Sequence, residues 1–328
     1  MSQPFELKEY CDLNEEVRCG YFVSQQMKKV WNIEMNILVK LLEICNRHNL
    51  RVFIESGSLL GAIRHKGFIP WDDDIDVEMF REDYDKLLQI APNEFEVPFH
   101  FQSAYSEKGY YRGHAQVRFD GTAMIIPSEA KFGYDFHQGI FVDIFVIDGV
   151  PDTQEEIETI GHEGVMILDY LWNRHYIRKR VDSPHYEHYK HILGEKTKWS
   201  DEKLYGYFED LMRKNSVTGS KYCGQYSFNL PQQTLKRDRH CYDNIIYVPF
   251  ERIEVPIPAR FDELLTEQYG DYMKPVQAPS FHGDVIIDTE KSYQTYIEKL
   301  QMPAYKITHR LFRAFVWKIL KYLGLRNK

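Results

Sequence analysis

Residues 57–79 read GSLLGAIRHKGFIPWDDDIDVEM. Five acids fall between Asp72 and Glu78, interleaved with Ile75, Val77 and Met79. Over 74–79, acid and apolar residues alternate with period two, the pattern of a strand with one wet face and one packed face. On such a strand Asp72, Asp74, Asp76 and Glu78 share one side, and Asp73, Ile75, Val77 and Met79 take the other. Like charges this close repel, by about 4 kcal/mol for a pair ~4 Å apart at an effective dielectric of 20. Solvent, protons or a divalent cation must relieve that cost, and carboxylates two residues apart on a strand suit Mg²⁺ or Mn²⁺.

Just upstream, RVFIE (51–55) reads as a short strand, and SGSLLGAIRHKG (56–67) as a tight turn feeding a short helix. Gly57 and Ser58 at the start of that helix offer backbone N–H groups and a hydroxyl, a cradle for phosphate. Arg64, His65 and Lys66 at its end are candidate counter-charges for the same phosphates. Glu55 precedes the turn and is a further candidate for the site. A phosphate holder therefore faces a cation holder.

Further out, Val23, Met27, Val30, Ile37, Leu38, Leu41, Ile44 and Cys45 recur at helical spacing and predict a long amphipathic helix over 22–48. Residues 81–92 predict a helix stopped by Pro92. HAQVRFD (114–120), TAMII (122–126) and GIFVDIFVID (139–148) predict strands, with a hairpin turn at Asp120-Gly121. Thr153 and Glu156 form a capping box opening a helix toward Arg180. Residues 200–214 are helical, and 251–273 give a strand and then a helix ending at Gly270. This order of elements predicts a mixed α/β (α+β) fold.

The chain has 328 residues and a net charge of −8, with no basic domain, which argues against a nucleic-acid partner. Its five cysteines form no regular framework, as expected of reduced thiols in a cytoplasmic protein. The charge is uneven: 303–328 carries seven Lys/Arg and no acid. On a helix, Ile307, Leu311, Phe315, Ile319 and Leu323 make one stripe. The segment is thus expected either to lie on an anionic membrane or to dock on the acidic body of its own chain.

The 57–79 block closely resembles the signature of the LicD/fukutin family of the nucleotidyltransferase superfamily. GIFVDIFVIDGV (139–150) and PFERIEVPIPARFDELLTEQYGDYM (249–273) are similar to later segments of that family. The resemblance implies a nucleotidyltransferase-like mixed sheet flanked by helices. It would form a catalytic domain over 1–300, with a helical N-terminal segment (1–50) and a helical insertion near 152–215. It implies that Asp74 and Asp76, with Asp72 nearby, bind the metal, and that a neighbouring strand supplies a third acid. Asp143 in FVDIF is the best match, and Asp148 the runner-up. It also implies transfer of phosphocholine from CDP-choline, or of a related alcohol phosphate such as ribitol phosphate from CDP-ribitol, with release of CMP. The acceptor would be a hydroxyl of a cell-surface glycan, in teichoic acid or lipopolysaccharide biosynthesis, or of its lipid-linked precursor. The alternatives are a true nucleotidyltransferase releasing pyrophosphate and a non-catalytic sugar- or nucleotide-binding relative. A quaternary ammonium would want an aromatic cage, and Tyr110, Tyr111, Tyr134 and Phe136 lie near the site in sequence.

Overall fold

The computed structural model describes residues 5–126, 134–176, 184–225, 236–277 and 285–301. In chain order the strands are β1 (Glu16–Arg18), β2 (Tyr21–Val23), β3 (Phe53–Ile54), β4 (Asp76–Phe80), β5 (Phe99–Gln102), β6 (Ala115–Phe119), β7 (Ala123–Ile125), β8 (Phe141–Gly149), β9 (Tyr222–Gly224), β10 (Arg237–Asp238), β11 (Ile245–Phe250), β12 (Ile253–Pro258) and β13 (Ile286–Asp288). The α-helices are α1 (Gln25–Arg47), α2 (Ser56–Arg64), α3 (Arg81–Glu94), α4 (Gln154–Tyr176), α5 (Pro184–Leu193), α6 (Asp201–Met212), α7 (Phe261–Tyr269) and α8 (Gln294–Gln301).

The main sheet is mixed. β8 is its centre because its nine residues are apolar enough to be buried throughout, with Asp143 and Asp148 the two acids among them. β4 runs parallel to it with Asp76 opposite Asp143. β3 pairs antiparallel with β4, and β9 and β10 extend the sheet beyond the other edge of β8. On that edge β6 pairs antiparallel with β8, placing Gln116 opposite Asp143, and β5 follows β6.

Alternation along these strands separates structure from chemistry. Val77 and Met79, Val142, Ile144 and Val146, and Ala115, Val117 and Phe119 join α1 and α3 in one apolar core. The opposite face carries Asp76 and Glu78, Asp143, and Gln116 and Arg118. Helices α4, α5 and α6 bury a second cluster around Ile167, Leu171, Tyr205 and Phe208. Their start follows the predicted cap, since the Glu156 N–H donates to the Thr153 hydroxyl at 3.2 Å.

Three expectations change. The acidic segment becomes a strand only from Asp76 onward, so Asp72, Asp73 and Asp74 lie on the loop that enters it. That loop is fixed from outside: Trp31 of α1 donates its indole N–H to the Asp72 carbonyl at 3.0 Å, and the Asp72 N–H reaches the Ile69 carbonyl at 3.0 Å. α3 runs past Pro92 to Glu94, because the proline falls in the last turn, which the Phe95 N–H closes on the Ala91 carbonyl at 3.1 Å. The chain does turn at Gly121, whose φ is +77°, but β7 pairs with β13 and not with β6. The basic segment 303–328 and the end of the helix predicted toward Arg180 lie outside the described residues. Among the described residues no helix is long and apolar enough to cross a membrane.

Candidate active site

Strand register brings the acids together. Asp76 opens β4, and its parallel neighbour on β8 is Asp143, so both carboxylates leave the sheet on the same side. The entering loop adds Asp74. Asp74, Asp76 and Asp143 each offer a carboxylate oxygen within 4.8 Å of the others, and Asp72, Asp73 and Asp74 form a second such group.

The neighbours set these carboxylates apart. Burial drives Asp76 well above the ordinary carboxylate range, and the charges of Asp74, Asp143 and Glu55 push the same way. Asp74 is raised likewise, by burial and then by Asp72, Asp73 and Asp143. For Asp143, burial also opposes ionisation, but hydrogen bonds from His114 and Gln116 and the charge of Arg118 outweigh it and hold the group below its ordinary value. The Gln116 amide donates to Asp143 Oδ1 at 2.5 Å, and His114 Nε2 lies 3.2 Å from the same oxygen. Arg118 in turn holds the Gln116 oxygen at 2.6 Å. One acid is thus kept charged while two others sit close to it in their mutual repulsion, an arrangement that a divalent cation relieves.

Glu34 lies beneath the loop on α1, one turn from Trp31. It is fully buried, and neither carboxyl oxygen has a hydrogen-bond partner among the described residues. Burial and then the charges of Asp74, Asp73, Asp72 and Asp76 raise it well above its usual range. A fully buried carboxyl without a hydrogen-bond partner, set beside four acids, is a cluster whose charge a divalent cation would offset, so the residues fit such an ion.

A pH dependence follows. Unfolded, Asp74 and Asp76 titrate near 3.8 and Glu34 near 4.5. Folded, they keep their protons to higher pH, so the native state binds more protons than the unfolded state and stability falls as pH rises above about 4. Urea denaturation of metal-free protein between pH 4 and 8 should show that decline. Mg²⁺ at a hundredfold excess over its Kd should oppose it by about 2.7 kcal/mol at neutral pH. A flat profile without metal would refute the repulsion.

α2 meets this centre with its N-terminal end. A Cβ on Gly57 would lie 2.8 Å from Asp72 Oδ2, so any larger residue there would push the Asp72 carboxylate aside. The Ser58 hydroxyl accepts the Asp76 N–H at 2.9 Å, which ties the helix to the start of β4. Ser56 sits at φ +45°, a left-handed conformation rare for serine, at the junction of β3 and α2.

Not every expected residue arrives. Arg64, His65 and Lys66 occupy the far end of α2, about 10 Å along the helix from Gly57. Arg64 donates to the Tyr272 carbonyl at 2.7 Å. Burial, then Arg64 and Arg18, lowers His65 to about 4, so it is neutral at pH 7. Lys66 is exposed. Glu78 leaves the acidic group altogether. Its carboxylate takes Arg237 at 2.8 Å and Tyr242 at 2.8 Å, although burial and Glu55 still push it up to about 7. Glu55 accepts from the same Arg237 at 2.7 Å. Asp148 is held by Arg81 through two bonds of 2.7 and 2.9 Å. Trp71 packs against the apolar core.

Sequence comparison now bears on this geometry. Residues 49–164 match the family described as LicD/FKTN/FKRP, nucleotidyltransferase domain. That span contains α2, the acidic loop, β4 and β8, and with them Asp72, Asp74, Asp76 and Asp143. Residues 49–164 thus carry the nucleotidyltransferase domain of the LicD/fukutin family. The lipopolysaccharide cholinephosphotransferase LicD of Haemophilus influenzae is 27% identical over 243 residues, covering 73% of this chain and 88% of that protein. An uncharacterised protein of Rickettsia prowazekii is 50% identical over 84 residues, 26% of this chain and 30% of its own. The ribitol 5-phosphate transferase FKRP of Mus musculus is 46% identical over 41 residues, 12% of this chain and 8% of that protein. Within the LicD family frame, sequence reasoning had missed Glu34, His114 and Gln116.

Proposed function

We propose that this protein transfers phosphocholine, or a related alcohol phosphate, from a CDP-linked donor to a hydroxyl of a cell-surface glycan or its lipid-linked precursor, with CMP as the leaving group. The observation that carries the reading is the meeting of the Asp74, Asp76 and Asp143 oxygens within 4.8 Å. The names of the relatives support the class of reaction: one is a lipopolysaccharide cholinephosphotransferase and another a ribitol 5-phosphate transferase.

Asp74, Asp76 and Asp143, with Asp72 beside them, would hold Mg²⁺ or Mn²⁺, whose chemistry there is to neutralise charge on the donor's phosphates. Asp143, kept ionised by His114 and Gln116, suits that grip better than it suits taking a proton from the acceptor. The backbone N–H groups of Gly57 and Ser58 in the first turn of α2 can donate to a phosphate that enters beside Asp72. Ser58 acts through its hydroxyl by holding the start of β4 in place.

The test is a panel of CDP-choline, CDP-ribitol, CDP-glycerol and CDP-ethanolamine with Mg²⁺ and a glycan acceptor, monitored for CMP and pyrophosphate. CMP in step with donor consumption is expected. Pyrophosphate as the product would mean attack at the other phosphorus and a true nucleotidyltransferase. No consumption of any donor would return the chain to a binding role.

A further inference from the structure

Beside the acidic centre, three aromatic rings, backed by a fourth, form a box around a cation of the protein itself. Tyr110, Tyr134 and Phe136 are buried together, and Trp172 of α4 packs on them. Tyr110 meets Phe136 edge-on at 5.5 Å, Tyr134 stacks on Phe136 at 4.9 Å, and Trp172 tilts against Tyr134 at 4.8 Å. The Arg112 guanidinium carbon lies 5.7 Å from the Tyr110 ring, 5.9 Å from Phe136 and 5.6 Å from Trp172. Each distance falls within the range at which a ring face attracts a cation.

The box adjoins the reacting centre. The Tyr110 ring lies 6.1 Å from the ring of His114, and His114 reaches Asp143 at 3.2 Å. The Arg112 carbonyl faces the other nitrogen of that imidazole at 3.1 Å. Arg112 and Trp172 are half-buried, whereas the other three rings are fully covered, so the box opens on the Arg112 and Trp172 side.

We propose that this box is the receptor for the donor's quaternary ammonium, and that Arg112 occupies it as an intramolecular stand-in which the incoming headgroup displaces. The inference rests on the phosphocholine reading and sharpens it, since the Tyr110, Phe136 and Trp172 rings attract a cation and give a neutral polyol such as ribitol nothing comparable. The signal in the sequence was partial: Tyr110, Tyr134 and Phe136 were candidates, but Trp172 was invisible because it arrives on a distant helix, and Tyr111 packs elsewhere, against Tyr205 at 5.9 Å.

Full-length protein, its Trp172→Phe and Trp172→Leu variants and Arg112→Gln should be titrated by calorimetry with choline chloride and with 3,3-dimethylbutan-1-ol, its uncharged isostere. Wild type should prefer choline at least tenfold. Trp172→Leu should lose about tenfold in choline affinity with no change for the neutral isostere, Trp172→Phe should stay within threefold of wild type, and Arg112→Gln should bind choline several-fold more tightly. Equal binding of the two probes by wild type, or choline binding untouched in Trp172→Leu, overturns the box. CMP release from CDP-choline is measured in parallel. Release with choline binding unaltered by Trp172→Leu refutes the box and leaves the transferase reading standing. No release from any CDP-linked donor, with choline binding that Trp172→Leu abolishes, refutes the reading and leaves the box.

Discussion

Asp76→Asn is expected to lower turnover by about 10³-fold or more and, in metal-free protein, to raise the melting temperature. The two effects have one cause. The amide keeps the size and shape of the carboxyl but cannot contribute a negative charge to a cation shared with Asp74 and Asp143. Losing several kcal/mol of charge neutralisation at the donor's phosphates is worth roughly that factor in rate. The same change removes a member of a crowded acidic group that burial and Asp74 already oppose, so the apo fold gains. Asp148→Asn is the contrasting variant. Asp148 stands five residues beyond Asp143 on β8 but is bound to buried Arg81, so its loss should lower stability and leave the kcat of the folded fraction near wild type. Rates with saturating Mg²⁺ and melting curves without metal check both. An Asp76→Asn protein that turns over at near wild-type rate would remove the carboxylate centre from the mechanism.

Arg237→Ala is expected to cost about 3–5 kcal/mol, a large share of the ~5–15 kcal/mol that holds a domain together. The guanidinium bridges Glu55 and Glu78 in the interior, and Gln225 donates to Glu55 at 2.5 Å in the same cluster. Without Arg237, two carboxylates are left buried side by side. Glu55 is also the residue that caps α2, accepting the Ser56 N–H. The damage should therefore reach the end of α2 that faces the acids, and raise the KM for donor more than that for acceptor. Arg237→Lys restores the charge but not the two-armed geometry, so an intermediate loss is expected. Urea denaturation and separate Michaelis constants measure the two parts. A loss below about 1 kcal/mol would show that the cluster tolerates its own charge.

How much of this was legible in the sequence depends on the range of the interaction. The alternation Asp76-Val77-Glu78-Met79 and the single acid inside Phe141-Val142-Asp143-Ile144-Phe145 are local signals, and both strands and their shared face follow from them. α1 was equally plain from its apolar period. That period also held a clue that went unread. Glu34 falls between Val30 and Ile37 on the packed stripe, where a charged residue has no business unless something facing it has use for a carboxyl. Asp72 and Asp74 looked like continuations of the strand because their spacing is right, but Trp31 and Ile69 hold them in a loop, and no local pattern reports such a clamp. Alternation put Glu78 on the acidic face, and its separate pairing could not be read locally because its partner Arg237 lies 159 residues away. Arg64, His65 and Lys66 follow the phosphate-cradle sequence closely, yet a helix of nine residues carries them to its other end.

The in-register meeting of β4 with β8 has a consequence for how such a chain can diverge. The two carboxylates are aligned by hydrogen bonds of the sheet, so the length of the stretches joining them is of little account to the grip itself. A graft or duplication between β5 and β6 would cost little, since loop closure grows only slowly with length. A single codon added between Ile140 and Val142 would turn the acid into the apolar core and put Val142 in its place. Diversification of donor and acceptor preference is therefore free to proceed in the connecting segments, while the reading frame of two short strands admits almost none.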